Sequence, residues 1–221
     1  MFEFSKNRIL QATALSLAAW FVFGCQSVYY KTMEQFGYEK REILVDRVIE
    51  ARDAQEETKD QFKSALEKFS DVVKFKGGDL EQEYETLNTE YKRCESKAEA
   101  VSTRINDVQN VGTALFKEWE AELDQYSSAN LRNASRQKLD QTRREYDRLI
   151  HSMRKAESKI TPVLTAFHDQ VLFLKHNLNA QAIASLHQEL SSVENNVASL
   201  IREMEAAIAE ANGFINTMVE S

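Results

Sequence analysis

The chain has 221 residues, a formal net charge of −7, 29% charged residues, six glycines and one proline. An acidic balance excludes the electrostatic footprint of a nucleic-acid binder or of a broad surface for anionic lipid. So few backbone breakers over such a length exclude a turn-rich sheet protein and point to long, uninterrupted helices.

The N-terminus reads as a secretory signal. Lys6 and Arg8 precede an apolar run from Ile9 through Leu10, Leu15, Leu17, Ala18, Ala19, Trp20, Phe21, Val22 and Phe23, which ends at Gly24 and Cys25. A basic start, roughly fifteen apolar residues and a small residue at the cut fit a cleaved signal. A cysteine directly after the cut makes it a lipoprotein signal, in which the Cys25 thiol carries a diacylglyceryl group. Val22 and Phe23 depart from the usual leucine and small residue at those places. The alternative is an uncleaved anchor, but the run falls short of the about twenty residues a spanning helix needs. Residues 1–24 are therefore expected to be removed, making the mature chain one unit more acidic. Gln26 and Ser27 follow Cys25. No Asp stands at the second mature position to retain the protein in the inner membrane. The expected place is the outer membrane, facing the periplasm, with residues 25–37 as a lipid-anchored tether.

A helical region is expected over 38–212. Val48, Ala51, Gln55, Thr58, Phe62, Ala65, Phe69 and Val72 recur at steps of three and four, one face of a helix. Gly77 and Gly78 end that helix and Asp79 caps the next. A second stripe runs Leu80, Tyr84, Leu87, Tyr91, Cys94, Ala98, Val101, Ile105, Val108, Gly112, Leu115 and Trp119 without a skip. That exceeds the three or four heptads that argue for a coiled coil. This helix, from about Asp79 to Tyr126, would be about 70 Å long. Cys94 on this stripe is expected to be a buried, unpaired thiol.

After the polar stretch Ser127–Asn130 a third stripe runs Leu139, Thr142, Tyr146, Leu149, Met153, Ala156, Ile160, Val163, Phe167, Val171, Leu174 and Leu178, interrupted by Pro162. The apolar spacing continues across the proline, which favours a kink over a new helix capped by Thr161. Asn177 and Asn179 mark a turn. A fourth stripe runs Ile183, Leu186, Leu190, Val193, Val197, Leu200, Met204, Ala207 and Ala211, and residues 213–221 are expected to fray. The fold class is all-α: an elongated antiparallel bundle of three to four long helices with coiled-coil seams.

Charge supports that packing. Residues 79–126 hold twelve acids and five bases, and residues 129–160 nine bases and four acids. An acidic helix followed by a basic one suits an antiparallel hairpin. The basic run, with Arg143, Arg144 and Arg148 at its centre, is first a solvated seam and second a candidate contact for lipid headgroups. Lys175 and His176, beside Asn177 and Asn179, read first as the end of a helix and its caps and second as a recognition tip.

Two stretches resemble a known family: FGCQSVYYKTMEQFGYEKREILVDRV, Phe23 to Val48, and DQVLFLKHNLNAQAIASL, Asp169 to Leu186. Both are similar to the uncharacterised DUF2959 family of gammaproteobacterial lipoproteins, and the likeness spans most of the mature chain. It implies a helical, membrane-anchored protein of the cell envelope and supplies no activity.

No catalytic constellation emerges. His151, His168, His176 and His187 include no pair four apart, and no acid precedes a histidine by three, so metal-ligand signatures of helical bundles are missing. There is no Gly-x-Ser-x-Gly elbow and no glycine-rich phosphate loop. Tyr84, Tyr91 and Trp119 read as packing. The expectation is a non-enzyme with no catalytic residue, metal, cofactor or small-molecule substrate. Its one covalent group would be the lipid on Cys25. Its partners would be the membrane through that anchor and an envelope protein or a second copy. Its role would be a scaffold or interaction rod in the periplasm. The second reading is a crescent-type membrane-shaping module whose basic helix 132–159 faces lipid.

Overall fold

A computed structural model describes residues 40–74, 77 and 79–220. Among them, five α-helices follow in order: α1 Lys40–Val73, α2 Leu80–Leu123, α3 Ala129–Ser158, α4 Ile160–His176 and α5 Ala180–Glu220. The described residues contain no strand. The chain divides into a unit Met1–Ile43 and a unit Leu44–Ser221. The second unit is the helical bundle. The signal segment, Cys25 and the tether lie outside the described residues.

The helix ends have local chemical causes. Asp79 keeps an extended backbone, and its Oδ1 accepts from the backbone N–H of Glu81 (2.9 Å) and of Gln82 (3.3 Å), satisfying donors that the first turn leaves free. Gly77 has φ +148°, a left-handed backbone that a side chain would oppose. Ser128 caps α3 by accepting from the N–H of Leu131 at 3.4 Å. Asn177 donates from Nδ2 to the carbonyl of Phe173 (2.9 Å), closing α4, and Asn179 Oδ1 accepts from Ala182 N–H (3.0 Å), opening α5. The two asparagines thus perform the cap chemistry that their position suggested.

Pro162 produces an interruption of one residue, not a new capped helix. Proline has no N–H to give Ser158, and its ring crowds that carbonyl. The adjustment falls at Lys159, which keeps right-handed helical angles (φ −83°, ψ −13°) and whose N–H bonds to Ala156 O at 3.0 Å, a tighter turn than the α-helix. Thr161 lies inside α4. The buried stripe Met153, Ala156, Ile160, Val163, Phe167 runs through the break. Helices α3 and α4 together form one arm.

The four arms alternate in direction. Glu57–Lys97 (2.5 Å) and Glu50–Arg104 (2.9 Å) join α1 to α2 in antiparallel order. Glu120–Arg143 (2.7 Å) and Asn106–Arg154 (2.6 Å) do the same for α2 and α3. Lys155–Glu203 (2.9 Å) joins α3 to α5, and Arg52–Asn212 (3.1 Å) joins α5 to α1. Phe167 of α4 meets Phe62 and Phe69 of α1 across the centre, ring centroids 6.4 and 6.2 Å apart. The result is an antiparallel four-arm bundle whose arms are about 50–70 Å long at 1.5 Å per residue.

Most periodic positions form the core, but Leu80, Ala98, Trp119, Ile183 and Leu190 are only half-buried, and Val111, Phe116 and Ala182 join the core from outside the expected stripes. All eight residues of the α1 stripe are fully buried, Gln55 and Thr58 included. Thr58 Oγ1 donates to its own helix at Ala54 O (2.6 Å) and lies 3.3 Å from Lys97 O. Gln55 has no partner for either amide atom. Cys94 is buried and free. Burial pushes its thiol up to about 12, so it is inert at neutral pH.

Three expectations need correction. Leu178 lies past the end of α4 and is 44% exposed, because the cap at Asn177 ends the stripe one step early. Residues 213–220 are helical: α5 runs to Glu220, with Phe214 and Met218 each 4% exposed, since the seam continues at steps of three and four beyond Ala211. Tyr84 and Tyr91 are half-buried at an edge, where α2 turns from α1 toward α4.

Candidate interaction surfaces

The basic run is divided by the structure. Arg143 is engaged: its guanidinium pairs with Glu120 at 2.7 Å and sits 5.0 Å from the Phe116 ring centroid. It belongs to the α2–α3 seam as charge complementarity required, and it is not a free contact for a headgroup. Arg132, Arg154 and Lys155 are likewise tied, to Tyr126 O, to Glu157 and Asn106, and to Glu203. Arg144 and Arg148 are exposed and make no ion pair among the described residues. Asp140 and Asp147 are exposed on the same turns, so this face of α3 is mixed in charge.

Lys175 and His176 are exposed in the last turn of α4, where cations complement free carbonyls. They lie about 40 Å of helix from Arg148. The structure therefore brings Arg144 and Arg148 onto one surface and Lys175 and His176 onto another.

The second surface holds what sequence reasoning missed. Helix α4 carries apolar residues beyond its buried side. The buried side sets Ile160, Val163, Phe167, Val171 and Leu174 in the core. On the side of Thr161, Thr165 and His168, Leu164 is half-buried and Leu172 is 46% exposed, while Phe173, 39% exposed, points about 100° away from Leu172. With Leu178, three of the five exposed large hydrophobics among the described residues fall within 172–178. Clusters of this kind mark contact surfaces, whereas scattered ones need no explanation. The available signal was composition: α4 has apolar residues outside the single stripe that a surface helix needs.

Between this side of α4 and α2 lies an open groove of about 260 Å³ lined by Tyr91, Glu95, Thr161, Leu164, Thr165 and His168. Tyr91 donates its hydroxyl to Glu95 at 2.5 Å, and its ring lies 5.6 Å from that of His168. Burial and that hydrogen bond push the phenol up to about 12. Although adjacent residues on a helix project apart, His168 Nδ1 lies 3.7 Å from Asp169 Oδ1. The groove offers an aromatic wall, a carboxylate already engaged by a phenol, and two hydroxyls. It contains no nucleophile held by a base.

Among the described residues, no group of three or more His, Cys, Asp or Glu side chains could hold a metal ion. No helix among them is long and apolar enough to cross a membrane.

No curated protein and no solved structure matches the chain. A family model described as a protein of unknown function, DUF2959, matches residues 29–218, from ahead of α1 almost to the end of α5. The chain belongs to the DUF2959 family.

Proposed function

We propose that the protein is a non-enzymatic lipoprotein of the bacterial cell envelope. Cys25 carries the lipid and holds it in the outer membrane, and the helical bundle faces the periplasm as an interaction rod. The observation that carries the reading is the exposed apolar segment 172–178. The bundle fills its core from its own four arms and still leaves Leu172, Phe173 and Leu178 exposed together. Exposed large hydrophobics gathered within 172–178 leave apolar surface to bury, and a protein contact buries it. The N-terminal signal supplies the anchor and limits the partners to the envelope.

The test has two arms. Labelled palmitate should enter the wild-type chain and not Cys25→Ala, with the wild type in the outer-membrane fraction. A photo-crosslinking residue at Phe173 should yield a discrete adduct in cells, lost on Leu172→Glu. No label and no adduct would defeat the anchor and the rod respectively.

Arg144 and Arg148 favour a second reading, a membrane-shaping module that lays α3 on lipid. Unlipidated mature protein would then sediment with anionic vesicles and cease to do so when both arginines become Glu. Arg143 pairs with Glu120, and Asp140 and Asp147 share the exposed turns. Both facts weaken this surface for anionic lipid.

A further inference from the structure

We propose that residues 44–60 of α1 form a strap that opens as a unit, lifting from the other three arms while the rest of the bundle stays closed. The device is independent of the anchor and of the exposed segment 172–178. Its cause is a weak stretch in the α1 seam. Between Val48 and Phe62 the buried positions are Ala51, Gln55, Thr58 and Lys59, so about 21 Å of helix sends no large apolar side chain into the core. Gln55 is fully buried with neither amide atom partnered, a cost that opening relieves by returning the amide to water. Thr58 Oγ1 donates to Ala54 O of its own helix (2.6 Å) and reaches Lys97 O only at 3.3 Å. Lys59 pairs with Glu56, again on its own helix, at 2.5 Å. Leu44 and Val48 are the only large apolar residues of the strap that are fully buried.

The other arms differ at the same level. Glu50–Arg104 and Glu57–Lys97 set the strap beside residues 97–104 of α2, and Asn106–Arg154 and Lys155–Glu203 bring α3 and α5 to it. Those arms present Val101, Ile105, Met153, Leu200 and Met204, all fully buried. They are also joined without α1. Tyr146 of α3 meets Phe116 of α2 and Phe214 of α5, ring centroids 5.1 and 6.3 Å apart. The polar links from the strap to its neighbours, Glu50–Arg104, Glu57–Lys97 and Arg52–Asn212, lie at the surface, where such pairs contribute little. The grip returns at residue 61. Gln61 Nε2 donates to the buried Glu90 carboxylate at 2.6 Å, and Phe62 and Phe69 close on Phe167. Local opening takes the stretch with the fewest buried apolar contacts and leaves the better-packed remainder folded.

The test is maleimide labelling of the full chain in its own membranes, in a Cys94→Ala background whose own labelling gives the contribution of Cys25. Val101→Cys sets a thiol under the strap. Leu87→Cys sets one on the same helix beyond the Gln61–Glu90 bond, and both positions are fully buried. Under native conditions Val101→Cys should label about tenfold faster than Leu87→Cys, although the larger truncation at 87 works the other way. Adding Gln55→Met should slow labelling at 101 about tenfold. Adding Leu174→Ala, a fully buried position of α4 beyond the grip, should speed labelling at 87 several-fold and leave 101 unchanged. Equal rates at 101 and 87, equal acceleration of both by Leu174→Ala, or no slowing by Gln55→Met would overturn the strap. Hydrogen exchange reads the same opening without a thiol in the core. In the otherwise unaltered full chain, amides 46–60 should exchange faster than amides 64–72, and Gln55→Met should slow the first group together. Uniform exchange along α1 would overturn the strap as well.

Discussion

The ring of Tyr146 lies over Gly112. A Cβ built on Gly112 would stand 2.5 Å from two ring carbons and 2.6 Å from the hydroxyl oxygen. The ring cannot swing away freely. It meets Phe116 edge-on at 5.1 Å and Phe214 at 6.3 Å, and its hydroxyl donates to Val108 O at 3.4 Å. Glycine at a heptad position in the middle of a long helix is thus explained by the tyrosine opposite. Gly112→Ala should gain about 1 kcal/mol of helix propensity and lose about 1–3 kcal/mol to overpacking. Thermal unfolding should move down. Tyr146→Leu in the same chain should recover part of the loss, and additive single effects would refute the coupling.

Gln55 is fully buried with neither amide atom partnered. An unsatisfied buried amide costs about 1–3 kcal/mol. Gln55→Met keeps the volume and removes the polar atoms, so it should stabilise the bundle by about that amount, read as a higher denaturation midpoint. A lower midpoint would mean that the amide has a partner in solution, such as a trapped water.

Ile105 is fully buried in the α2 seam. Ile105→Asp would set a carboxylate in that buried position, at a cost above about 3 kcal/mol. Chemical denaturation should reveal it as a large fall in midpoint. An unchanged midpoint would contradict the register of α2.

Alkaline pH should weaken the fold. Cys94, Tyr91 and Tyr146 are each pushed up to about 12 from ordinary values of 9.0, 10.0 and 10.0, chiefly by burial. The hydrogen bond with Glu56 raises Lys59 from 10.5. For each group the fold holds a proton more firmly than the unfolded chain does. Its contribution is present in full below the unfolded value and is lost as pH rises through the folded one. The melting temperature should be level from pH 7 to about 9 and decline above that, as these constants set. Cys94→Ala should flatten the first part of the decline. An equally steep decline from pH 9 to 10 in that variant would remove the thiol from the explanation.

The helices and their inward sides were legible in the sequence because a seam repeats one simple rule. The positions of α1 from Val48 to Val72 and of α3 and α4 from Leu139 to Leu174 are buried as their spacing required. Asp79, Gly77 and Asn177 announced the ends, since each acts through its own neighbouring backbone. Membership of a helical family was readable too, from two stretches at opposite ends of the chain. What the tertiary structure decided is where the arms stop covering one another. Tyr91 follows the same spacing as Cys94, yet Cys94 is enclosed against α1 while Tyr91 faces an open groove. Periodicity reports which side of a helix is apolar, not how many helices cover it. Arg143 and Arg144 are chemically alike and adjacent in the chain, but only Arg143 reaches Glu120 and Phe116. That difference needs α2 beside α3, and α2 carries those residues more than twenty positions earlier in the chain.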